Sequence, residues 1–188
     1  MSDIVTYELQ GNIGIIRVNS PPVNALSQAV RQGLLDAITT AQADASDAVV
    51  LSCEGRTFIA GADITEFGKP RREPMLPQVL DALENSSKLV VAAIHGTAFG
   101  GGFEVSLACH YRCALASAQV GLPEVKLGLL PGAGGTQRTP RLSGVKFALD
   151  MIASGNPVAA VRAREVGLLD ALIEDKDLLV GAMAYAKQ

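Results

Sequence analysis

No stretch of this sequence stays apolar for the roughly 18 residues that a membrane-spanning helix needs. Its first residues, Met1-Ser2-Asp3, lack the basic and apolar regions of a secretory leader. Three cysteines among 188 residues do not make a disulfide framework, so a reducing compartment, the cytosol, is the expected setting. The formal net charge is -3 and no basic cluster interrupts it, which argues against nucleic acid as the main partner. A serine hydrolase is excluded by the absence of G-x-S-x-G and by a supply of only two histidines, His95 and His110. Nucleotide motifs are missing too. There is no G-x-x-x-x-G-K-[ST], and the glycine runs at 100–102 and 132–135 stop short of G-x-G-x-x-G because Val105 and Gln137 take the last position. Cys109, His110 and Cys113 lie close together, yet two thiols and one imidazole do not complete a zinc site. They are read as packing residues, as is His95 behind an apolar strand.

What remains is a chain that is 48% apolar and 19% charged, enough for one sizeable core. Residues 5–9 and 13–18 alternate around Gln10-Gly11-Asn12 and predict a hairpin. The paired prolines at Pro21-Pro22 stop the second strand. Ser27 is the expected N-cap of a helix to residue 43, with Val30, Leu34, Ile38 and Ala41 on one face. Buried strands are predicted at 48–52 and 90–94, further strands at 111–116, 119–121 and 168–173. Helices are expected over 76–85, 136–142, 145–153, 159–166 and 177–186, with Gly144, Gly155 and Gly167 as stops. Three prolines and three basic residues mark 67–77 as a mobile surface loop. Strand and helix alternate throughout, which predicts an α/β fold with a largely parallel core.

The chemistry concentrates around Gly100-Gly101-Gly102-Phe103-Glu104 and Gly121-Leu122-Pro123-Glu124. Three glycines leave a stretch of main chain without Cβ atoms, open to close approach by a ligand. An apolar strand, a glycine turn and a helix aim free backbone N–H groups at an anion. A carboxylate early in that helix would be held ionised by the helix's positive end. The combination points to an oxyanion or enolate stabiliser with carboxylates for proton transfer.

Together with Phe58-Ile59-Ala60-Gly61-Ala62-Asp63-Ile64 and the run from Leu127 to Arg138, these motifs resemble the enoyl-CoA hydratase/isomerase (crotonase) family over nearly the whole chain. Pro21-Pro22-Val23-Asn24-Ala25-Leu26 and His110-Tyr111-Arg112 are most similar to the N-terminal hydratase part of multifunctional β-oxidation enzymes, in which a 3-hydroxyacyl-CoA dehydrogenase follows. The resemblance implies a crotonase-like (ClpP/crotonase) fold of repeated ββα units. It also implies hydration of trans-2-enoyl-CoA to 3-hydroxyacyl-CoA in fatty acid β-oxidation, with no metal and no cofactor beyond the coenzyme A of the substrate. By position, the amides of Ala62 and Gly101 would form the oxyanion hole, Glu104 would act as base and Glu124 as acid. Val23, Ala25 and Leu26, with Ala60, Gly61, Ala62, Asp63 and Ile64, would hold the adenine and pantetheine. Many single-function members carry a lysine three residues before the asparagine matching Asn24. Pro21 stands there in this chain, leaving Lys69, Arg71 and Arg72 as candidate phosphate contacts.

Two other readings stay open: Δ3–Δ2 enoyl-CoA isomerisation on the same site, and a catalytically silent acyl-CoA-binding module. Isomerisation needs one carboxylate, so the pair Glu104 and Glu124 favours hydration. Members that work alone continue beyond the strand matching 168–173 with several more helices. Residues 1–188 are therefore expected to be one domain from a longer chain, lacking the C-terminal helical region, with Met183, Ala184 and Tyr185 short of packing partners. The expected partners are an acyl-CoA thioester and either a second copy of the chain or a covalent C-terminal dehydrogenase domain. The expected location is the cytoplasm, or the peroxisome in a eukaryote.

Overall fold

A computed structural model describes residues 4–174 and 177–188. The hairpin forms as its alternation predicts: β1 (Val5–Gln10) pairs antiparallel with β2 (Ile13–Val18) around a left-handed Gly11. From there the main sheet is parallel, running β1-β2-β3-β4-β6-β9 through β3 (Ala48–Cys53), β4 (Leu89–Ile94), β6 (Tyr111–Leu115) and β9 (Ala171–Ile173). Alternate residues of one strand serve opposite faces, which is why these strands read as unbroken apolar runs. Val49 and Leu51 join the larger core with α1 (Gln28–Ala43), α2 (Leu76–Glu84) and α3 (Gly101–Ala108). Ala48 and Val50 face the other way, toward α7 (Leu178–Ala186).

Helix α7 corrects one expectation. Met183 and Tyr185 pack on that second sheet face, with Tyr185 edge-on to Tyr111 at a centroid distance of 5.7 Å. Ser27 caps α1 as expected, accepting from the Val30 amide at 3.4 Å. Gly144 and Gly155 end α4 (Gly135–Ser143) and α5 (Val145–Ser154).

The strand expected at 119–121 forms as β7 (Gln119–Gly121), but in a second, unexpected sheet with β5 (Thr97–Phe99) and β8 (Val158–Ala159). The chain leaves β4 and enters β5 through Gly96, at φ +56°, where a Cβ would lie 2.1 Å from the Arg56 carbonyl oxygen. Residues 158–159 fall to β8, so α6 is confined to Ala160–Glu165, and Leu168 and Leu169 fill the core from a turn. Cys109 and Cys113 are buried packing residues, and burial pushes both thiols up to about 12. His95 departs from its expected place in the core: it is half-buried, with Nε2 donating to the Gly55 carbonyl at 3.0 Å.

The contact that fixes α3 beneath the second sheet is made by an absence. A Cβ on Gly102 would sit 2.2 Å from the Ile59 carbonyl oxygen, and that oxygen already accepts the Phe99 amide. Backbone rather than a flexible side chain is in the way, so the structure cannot yield locally. Gly102→Ala should therefore destabilise by about 1–3 kcal/mol, the usual cost of overpacking. A thermal melt at unchanged Tm would show that α3 is free to slide.

Candidate active site

Three stretches of chain converge at the ends of the two sheets: residues 20–26, 57–63 and 97–104. Asn24 joins the first two. Its backbone is left-handed at φ 52°, and its buried Nδ2 donates to the carbonyls of Glu54, Thr57 and Phe58 at 2.9–3.0 Å. A short carboxamide tolerates this backbone conformation better than most side chains. Backbone bonds complete the junction, from Leu26 to the Gly61 carbonyl at 2.9 Å and from Ala60 to the Val23 carbonyl at 3.1 Å. Leu26 thus bridges Ala62, and Ile59 bridges Ala98.

This lattice leaves two amides unengaged. Among the described residues, neither the Ala62 nor the Gly101 N–H has an acceptor in hydrogen-bonding geometry. The two residues are close neighbours, since a Cβ on Gly101 would lie 3.9 Å from the Ala62 nitrogen and 3.0 Å from methyl carbons of both Leu26 and Leu76. The turn that presents Gly101 depends on its neighbour. Gly100, at φ +53°, is the glycine whose backbone requires freedom from a Cβ, whereas Gly101 keeps the space itself open.

Glu104 is buried in the first turn of α3, yet the amides that meet its carboxylate belong elsewhere. Its Oε1 accepts from Ala133 and Gly135 at 2.8 Å each, at the start of α4 rather than at the end of its own helix. A Cβ on Gly135 would stand 3.0 Å from that oxygen. Arg138 steadies the same turn, donating to the Ala133 carbonyl at 2.9 Å while pairing with Glu84 at 2.6 Å. Glu124 opens a short 3-10 helix, Pro123–Leu127, and has the opposite environment. Among the described residues its buried Oε2 has no hydrogen-bond partner. Burial pushes the Glu124 pKa up, and the nearby Glu104 charge adds to the shift. One carboxyl has an oxygen held by two donors, and the other has a buried oxygen and a raised pKa.

Two adjoining cavities open beside Ala62, of about 780 and 480 Å³, and both are lined by Ala62, Asp63 and Thr65. The smaller one takes in Val23, Ala25, Ala60 and Ile64, and the larger one Leu26 and Leu76. Gly61 lines neither; it is buried at φ +129°. Gly101, Glu104 and Glu124 also lie off both cavities, and Leu26 and Leu76 connect Gly101 to the larger one.

The outer wall of the larger cavity is the segment 66–76, where a mobile surface loop was expected. The structure ties it down through Arg31, a residue not singled out in the sequence. Arg31 sits on the buried face of α1 and donates to the carbonyls of Leu26, Pro74 and Arg72 at 2.7, 2.7 and 3.0 Å, and to Glu66 at 2.9 Å. Its signal was present: positions 31, 34, 38 and 41 share the helical spacing of a buried stripe, with arginine at the head of three apolar residues. Among the described residues no group of histidine, cysteine or carboxylate side chains could hold a metal ion.

Comparison with known proteins agrees with this geometry. Residues 8–188 match the family model described as enoyl-CoA hydratase/isomerase. The chain is 49% identical over 170 residues to the peroxisomal bifunctional enzyme of Danio rerio, covering 89% of this chain and 24% of that protein. It is 38% identical to a probable enoyl-CoA hydratase of Bacillus subtilis, covering 87% of this chain and 67% of that one. The crystal structure of an enoyl-CoA hydratase from Bacillus anthracis superposes with a TM-score of 0.91 at 34% identity, covering 98% of this chain and 75% of that one. This chain thus spans about a quarter of the Danio rerio enzyme's length, and the fold implied by the sequence motifs is the fold observed. Sequence, fold and the paired turns at Ala62 and Gly101 agree: the chain belongs to the enoyl-CoA hydratase/isomerase family.

Proposed function

We propose that this site hydrates trans-2-enoyl-CoA to 3-hydroxyacyl-CoA. The observation that carries the proposal is the contrast between Glu104, with Oε1 held by two amides, and Glu124, with a buried oxygen left unpartnered. In this reading the thioester carbonyl accepts from the Ala62 and Gly101 amides. Glu104 takes a proton from water as the hydroxyl oxygen bonds to C3, and the electron pair of the double bond moves toward the carbonyl oxygen. Glu124 then gives its proton to C2, and the enolate collapses to the saturated thioester. Isomerisation would need only one of the two carboxyls, so the pair favours hydration.

The coenzyme A moiety, on this reading, runs from the smaller cavity past Ala62, with no separate cofactor. Lys69, Arg71 and Arg72 border the larger cavity, and among the described residues none of them is in an ion pair, which suits them to its phosphates. Exposed Leu127, Leu130, Val145 and Leu149 support a working assembly in which further chain or a second copy covers this face. A fused dehydrogenase and a peroxisomal setting in a eukaryote are proposed only by analogy with the bifunctional relatives.

Glu104→Gln and Glu124→Gln should each lower the kcat for crotonyl-CoA by about 10²–10⁴-fold, the range for lost acid–base catalysis. The Glu124→Gln melt should differ from that of a structural residue. A folded-state carboxyl with a raised pKa costs stability once pH exceeds its unfolded value near 4, roughly, and the whole cost is present above the folded pKa. At neutral pH, Glu124→Gln should therefore melt no lower than the native protein. Near-native kcat in either variant would remove that glutamate from the mechanism. Gly101→Ala, which puts a methyl group where the carbonyl would sit, should lower kcat by about 10²–10³-fold, as losing an oxyanion donor does. A folded Gly101→Ala enzyme with unchanged turnover would move the oxyanion hole elsewhere.

A further inference from the structure

We propose that Arg138, anchored by Glu84, is a positioning residue that sets the two amides holding Glu104 and so places the carboxylate that serves as base, an inference that rests on the hydratase reading above. Ala133 and Gly135 stand on either side of a left-handed Gly134, at φ +100°. Successive amides around such a residue form a concave cradle for an anion, and the anion here is Glu104 Oε1. The other side of that cradle belongs to Arg138. Its Nη1 donates to the Ala133 carbonyl at 2.9 Å, and a Cβ on Gly134 would lie 2.2 Å from the same nitrogen, so the guanidinium rests directly on the turn.

Glu84 holds the far end of the fork, accepting from Nε at 3.1 Å and from Nη2 at 2.6 Å. It is the last residue of α2, whose Val79, Leu80 and Leu83 are buried in the core. A carboxylate there faces the negative end of its own helix, an unfavourable place unless a cation answers it. Residues 125–130, on the way to the cradle, are all exposed, so they bring no core of their own. The pair thus ties a packed helix to the cradle, and the cradle holds Glu104. Misplacing a catalytic group by about 1 Å is enough to cost roughly 10²-fold in rate. The Arg138 charge also acts on Glu104 through space. A lysine would keep that charge, but only a guanidinium spans the Glu84 carboxylate and the Ala133 carbonyl at once.

The test compares the native protein with Arg138→Met, Arg138→Lys and Glu84→Gln. Melts confirm folding, and Glu84→Gln, which leaves one acceptor where the fork uses two, serves if the Arg138 variants do not fold. Spectra of ¹⁵N-labelled protein report the Ala133 and Gly135 amide protons, which resonate downfield while bonded to a carboxylate. Hydration of crotonyl-CoA reports kcat and KM. In each variant both amide protons should move upfield, and kcat should fall about 10²-fold with KM unchanged. Lysine should not rescue. In a Glu104→Gln background, Arg138→Met should lower kcat no further, because it acts through that carboxylate. Unmoved amides, native kcat, full rescue by lysine, or a further loss in the Glu104→Gln background would each overturn the proposal. A native protein that does not hydrate crotonyl-CoA, with both amides still moving upfield in the variants, would defeat the hydratase reading and leave Arg138 as the residue that places Glu104.

Discussion

Everything at this site depends on how closely two backbones approach: α3 enters with Gly102 against the Ile59 carbonyl, at a separation no side chain would permit. That contact brings the start of α3 against the segment of residues 59–62, and so sets Gly101 beside Ala62. Both amides are left without acceptors because their neighbours take the available bonds: Leu26 engages Gly61, and Gly100 engages Gly121. An unpaired amide is ordinarily a cost. Two of them close together fit the proposal that a developing negative charge completes them.

The polar interior follows the same logic. Asn24, Arg31 and Glu104 are buried and well bonded, and each joins segments distant in sequence: Asn24 links 24 with 54–58, Arg31 links α1 with 66–74, and Glu104 links α3 with α4. Buried polar groups of this kind give specificity of arrangement when every partner is satisfied. Glu124 breaks the pattern with its unpartnered oxygen. Among the described residues it shares that state with Arg112 Nε and Thr139 Oγ1, and such burial is unfavourable for folding.

Much of this was legible in the sequence, and the reasons are local. The hairpin at Gly11, the Ser27 cap and the runs at β3 and β4 follow from periodicity and turn chemistry. The glycine triplet announced a close approach. What could not be read was long-range. The donors to Glu104 were expected from its own helix, but they come from residues about thirty positions later, through a contact that depends on Gly135 having no side chain. The second sheet was invisible because β5 and β8 are three and two residues long, too short for alternation to register. Segment 67–77 has the composition of a free loop, and bonds from Arg31 and Gln28 on a distant helix tie it down.

The central claim is that the Ala62 and Gly101 amides polarise a thioester carbonyl. Infrared difference spectroscopy of bound crotonyl-CoA, with the carbonyl carbon labelled by ¹³C, tests it most directly, using Glu104→Gln to keep the ligand unreacted. Two converging donors should move the carbonyl stretch to lower frequency than in water, and Gly101→Ala in the same background should return it toward the solution value. A bound carbonyl at its solution frequency, equally in both proteins, would contradict the account.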